Sequence, residues 1–160
     1  MNTTLQEVST PNPLVQYQAH VKTLLTAIQQ WAATWSLEVQ AGETSIHEEA
    51  HGPYTMPTLV LVGPDARKVA EVVPFGQSII GAAGRVDVVG EYGKREKMVY
   101  LAEGGPTIAT SPDAVHRLYR GVTAPGWYWV SPPPIRRAYA INQEVFADLM
   151  SAVTGHEFKS

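Results

Sequence analysis

A chain of 160 residues, 44% apolar and 17% charged, is long enough to bury one core without disulfides or a structural metal. It has no cysteine, which excludes disulfides, thiolate metal ligands and cysteine nucleophiles. The formal charge of −3 argues against a general polyanion binder, and no apolar run approaches the roughly 18 residues of a membrane span.

The polar start MNTTLQEVSTPNP has neither the basic block nor the apolar block of a signal peptide, so the expected location is the cytoplasm. Residues 1–12 read as a flexible arm and 13–160 as a single α+β domain. From Leu14 the apolar residues recur at steps of three and four: Tyr17, Val21, Leu24, Leu25, Ile28, Trp31, Ala32 and Trp35. This is one stripe of a helix over about 13–35, with Pro13 in its first turn and Asn12 as its cap. Leu37 to Gln40 alternate as a strand, Ala41-Gly42-Glu43 reads as a turn, and 44–51 is ambiguous up to the stop at Gly52-Pro53.

Four apolar, β-branched runs come next, at 58–62, 69–73, 85–89 and 98–101, each closed by Gly, Pro, Asp or a basic cluster. They predict short consecutive strands, with Gly90 to Lys94 as a hairpin loop. Ser111 to Gly121 carries the marks of a short helix: Ser111 as cap, Pro112 at the first position, Arg120 near the end and Gly121 as stop. Trp127 to Val130 predicts a strand with both Trp on one face and Tyr128 on the other, and 136–141 one more strand. Asn142 caps a final amphipathic helix ending at Gly155. The expected fold is α+β: a mostly antiparallel meander of about 5–7 strands covered by an N-terminal and a C-terminal helix.

Charge is unevenly placed. Residues 23–66 hold no Lys or Arg, and residues 114–143 hold no Asp or Glu. The two parts can pair with each other, or meet different partners.

Three constellations carry possible chemistry. His47-Glu48-Glu49-Ala50-His51 satisfies H-E-x-x-H, which on a helix sets two histidines one turn apart for zinc. On a strand the same pair stands about 13 Å apart, beyond the reach of one metal. Gly52-Pro53 leaves little room for a helix, so no metal is expected on His47 and His51.

The second is Asp87 in GRVDVVG followed by Glu103 in KMVYLAEGG. This phrase resembles the PD-(D/E)xK nuclease superfamily, in which a strand Asp and a Glu on the next strand hold Mg²⁺ over a phosphodiester. The resemblance implies a metal-dependent nuclease or hydrolase using Asp87 and Glu103. Gly105 stands where that superfamily has its lysine.

The third is the aromatic and basic segment Arg117, Arg120, Trp127, Tyr128, Arg136 and Arg137, residue types that dominate binding hot spots. With no catalytic constellation complete, the expected function is a small protein-binding domain without catalysis, adaptor-like, neutralising or immunity-like. Its partner would be another protein or a second copy of the chain, with no membrane and no nucleic acid. No cofactor is expected; Mg²⁺ or Zn²⁺ enters only under the alternative readings.

Overall fold

In the computed structural model, which describes residues 12–159, Asn12 opens the first helix as the Asn-Pro pair suggests. Its Oδ1 accepts from the Leu14 amide at 2.7 Å, and Pro13 takes the first helical position, where no amide hydrogen is needed. Helix α1 spans Pro13–Thr34 and buries Tyr17, Val21, Leu24, Leu25, Ile28 and Ala32 along one stripe. Burial contributes about 1.5–3 kcal/mol for each large apolar side chain, so the stripe stabilises a helix whose outer face has few charges. The rest of the arm expected over 1–12 lies outside the described residues. Helix α2, Gln143–Thr154, is capped by Asn142 on the Val145 amide and stopped by Gly155 in the left-handed region.

Between the helices the described residues form nine strands: β1 Glu38–Glu48, β2 Gly52–Val62, β3 Lys68–Gly76, β4 Arg85–Gly90, β5 Arg95–Leu101, β6 Thr107–Ser111, β7 Ala114–Arg117, β8 Gly126–Val130 and β9 Ala138–Ala140. Seven make one antiparallel sheet in the order β1-β2-β3-β4-β5-β8-β9, while β6 and β7 pair with each other as a separate hairpin. The expected antiparallel meander is thus present, interrupted once.

Strand alternation sorts the side chains onto two faces. Val86 and Val88 of β4, with Met98 of β5, join Ala70 and Val72 of β3 in one core with the stripes of α1 and α2. Gly90 lies so close to α2 that a Cβ there would sit 1.9 Å from the Val153 carbonyl oxygen. On the other face, Arg85, Asp87 and Val89 stand opposite Val99, Lys97 and Arg95. A second, smaller core forms there from Val99, Leu101, Val122, Tyr128, Val130 and Ala138. Tyr128 belongs to it, whereas Trp127 and Trp129 pack against the first core, so β8 splits its aromatics as alternation requires.

Two expectations are corrected. The helix expected over 111–121 is absent: residues 107–117 are the β6–β7 hairpin. Ser-Pro-Asp opens a helix and fills a β-turn equally well, and Thr107, Ile108, Thr110 and Val115 favour a strand on either side of that turn. The segment also has too few apolar residues at helical spacing to pack a helix. The turn expected at 41–43 is absent too, because β1 runs unbroken from Glu38 to Glu48 beside β2. Gly42 serves a close approach there: a Cβ at that position would sit 2.9 Å from the Thr58 Oγ1 across the strands.

Candidate functional site

Asp87 is fully buried in the middle of β4, on the face turned away from α1 and α2. A buried carboxylate needs charge partners and hydrogen bonds, and two arginines supply both. Arg85, two residues earlier on the same face, grips it with two bonds, Nε to Oδ1 at 2.7 Å and Nη2 to Oδ2 at 3.0 Å. Arg95, brought alongside by the β4–β5 hairpin, donates from Nη1 to Oδ2. The Arg85 guanidinium also lies 4.0 Å over the Phe75 ring, which fixes its plane. Among the described residues these are the only hydrogen bonds of the two guanidinium groups, and most of their donors are left over. Lys97, in register with Asp87, forms no ion pair among the described residues.

These cations open into a cleft of about 310 Å³. Arg85, Arg95 and Lys97 form its floor, and Tyr119 with Ser131, Pro132 and Pro133 its wall. Glu96 also borders it, but the Glu96 Oε1 accepts from the Trp129 indole at 2.8 Å, toward the helix side. The wall is tied together by backbone bonds from Arg136 to Pro132, Arg120 to Arg136 and Ser131 to Arg137, at 3.3, 2.9 and 2.8 Å. Three further arginines therefore gather beside the cleft, and none pairs with a carboxylate among the described residues. No protein-family model, no curated protein and no solved structure matches the chain.

The structure therefore brings together part of what the sequence singles out. Arg120, Arg136 and Arg137 sit in one loop cluster; the Arg137 guanidinium lies 5.5 Å over the Tyr139 ring. Arg117 ends β7, exposed, on the separate hairpin. Trp127 donates to the His20 carbonyl at 3.1 Å, and the Tyr128 hydroxyl donates to the Ala124 carbonyl at 2.7 Å. These two rings buttress the segment from inside.

Asp87 and Glu103 are not brought together. Glu103 lies exposed in the turn after β5, while Asp87 is in register with Lys97, four residues or roughly 13 Å of strand before that end. Both Asp87 oxygens are taken by guanidinium groups rather than facing a cation site. His47 lies in β1 opposite Pro53, and His51 in the turn after β1, so H-E-x-x-H is not helical. Among the described residues no three His, Cys, Asp or Glu side chains are grouped to hold a metal.

Sequence reasoning misses what Glu48 does. Its carboxylate accepts from the Tyr54 hydroxyl and from the backbone amides of Gln77 and Ser78, the last two at 3.0 and 2.7 Å. Burial would raise its pKa, but the Tyr54 and amide bonds outweigh burial and hold it below the usual glutamate range. His51 adds a 2.6 Å contact to the Gln77 side chain. The motif that looks like a zinc site is a clasp for the chain after β3. Nothing in its spacing reveals this, since the partners are backbone groups almost thirty residues away.

Proposed function

We propose that the chain is a binding domain without catalysis, whose two helices cover one face of the sheet and whose basic cleft on the other face takes an acidic segment of another protein. The observation that carries this reading is the convergence of Arg85, Arg95 and Lys97 on one cleft, whose wall residues Ser131 and Pro132 are bonded through their backbones to the loop that holds Arg120, Arg136 and Arg137, with Asp87 as the single carboxylate that any of these side chains engages among the described residues. Guanidinium groups beside a concave surface recognise carboxylates well, and such charge also steers the encounter. The lack of cysteine agrees with a reducing, cytoplasmic setting.

The test is titration of the intact protein with a short Glu/Asp-rich peptide at low and moderate salt. Binding should weaken with salt, and should fall about tenfold or more in the double variant Arg136→Glu with Arg137→Glu. Unchanged affinity in that variant would overturn the reading. With Asp87 organising arginines and holding no metal, added Mg²⁺ should change neither binding nor the integrity of any nucleic acid mixed with the protein.

A further inference from the structure

The same cleft has a finer chemistry, which rests on the binding function proposed above. We infer that the floor around Arg85, Arg95 and Lys97 is a phosphate-monoester site, and that the segment it takes is a phosphorylated peptide with an apolar group next to the phosphate. Three cations stand against two carboxylates, the buried Asp87 and the bordering Glu96, and the cleft stays net positive. A phosphorylated side chain carries about −1.5 to −2 near neutral pH and three strong acceptor oxygens, where an Asp or Glu carries a single charge and two oxygens. Two guanidinium forks and an ammonium with donors left over suit the former.

Geometry points the same way. Asp87 and the Phe75 ring hold the Arg85 plane in place, and Asp87 ties Arg95 beside it, so neither fork has to be ordered on binding. The forks still have free donors, and Lys97 adds a point charge beside them on the floor. Next to this floor lies a recess of about 60 Å³, which shares Arg85, Lys97 and Tyr119 with the cleft. Its other walls include Ile80, Leu101 and Leu118. A group of a few carbon atoms fits there, within reach of the same cations that would hold the anion. The Ile80 side chain is fully exposed, an apolar rim that such a group would cover. Inorganic phosphate would leave the recess unused, as would an acidic run with no apolar residue.

The experiment titrates the full chain by calorimetry with a short peptide holding phosphoserine and a nearby leucine. The same peptide with serine, the same peptide with glutamate, inorganic phosphate and a 5′-phosphorylated oligonucleotide are run beside it. The phosphopeptide should bind at least about tenfold tighter than the glutamate peptide, a difference of about 1.4 kcal/mol. Its affinity should drop as pH falls through about 6, where the phosphate gains its second proton. Lys97→Gln, an exposed substitution, should remove most of the preference for phosphate over glutamate. Equal affinity for the phosphoserine and glutamate peptides would overturn this inference and leave the acidic-segment reading standing. No binding by any peptide would overturn both. Inorganic phosphate that outcompetes the phosphopeptide would overturn the peptide as the source of the anion, and an oligonucleotide that does so would replace it with nucleic acid.

Discussion

Glu48 and Asp87 are both acids held inside hydrogen-bond networks on the sheet, yet they are used in opposite ways. Glu48 is met by a phenol and two backbone amides, neutral donors that use it to fix the chain at Gln77 and Ser78. Asp87 is met by two guanidinium groups, each with donors to spare. The first network closes on itself. The second leaves positive charge facing a cleft. Partner type, more than depth of burial, decides whether a held carboxylate knits a fold or arms a surface.

That contrast can be broken from several directions. The largest effect is expected for Asp87→Asn. It leaves Arg85, whose side chain is 23% exposed, beside an uncharged amide, and stability should fall by about 3 kcal/mol. The half-exposed Arg95 keeps the loss near the low end of the range for broken buried pairs. Urea unfolding measures it, and a loss under about 1 kcal/mol would mean that the pair is screened as at an open surface. Glu48→Gln should cost less, about 1–2 kcal/mol, because the amide keeps one acceptor for the Gln77 and Ser78 amides. Faster hydrogen exchange at those two amides, with β4 unchanged, would localise the effect.

Acid should reach the Glu48 network next. The Glu48 pKa is lowered in the folded protein, so the unfolded chain takes up the proton first. Its contribution is complete above the ordinary glutamate value, about 4.3, and is lost as pH falls below that through the lowered folded value. Backbone NMR shifts of Gln77 and Ser78 should follow this window, and shifts that move only above it would contradict the assignment. The smallest stability effect belongs to Lys97→Gln, within about 0.5 kcal/mol, since Lys97 has no ion-pair partner to lose among the described residues. The same variant should show the clearest loss of anion binding, separating surface function from fold.

Much of the fold is readable because local and global signals agree. Asn12-Pro13, Asn142 and Gly155 mark helix ends by mechanisms that need no distant contact. The β-branched runs predict β2 to β5 for the same reason. Segment 111–121 misleads where agreement fails: Ser111-Pro112-Asp113 serves two structures, and pairing of Thr107 with Arg117 decides between them. Gly42 misleads because its need comes from Thr58 on the neighbouring strand. Of the site, the basic loop arginines are visible as an acid-free stretch. Arg95 and Lys97 are not, because only the β4–β5 register turns them toward Asp87 and the arginine loop.

The β6–β7 excursion leaves the sheet at Leu101 and returns at Gly126, and these two residues are paired across β5 and β8. Entry and exit are therefore neighbours, and the order of the seven strands does not depend on how long the excursion is. Yet it supplies Tyr119 to the cleft and Val122 to the second core. Residues 102–125 are thus a side excursion fastened to the frame at two places, Val122 in the second core and the Arg120 backbone, which bonds Arg136 and Ala138. Grafts that keep both ties can reshape one wall of the cleft while Arg85, Asp87 and Arg95 stay in place.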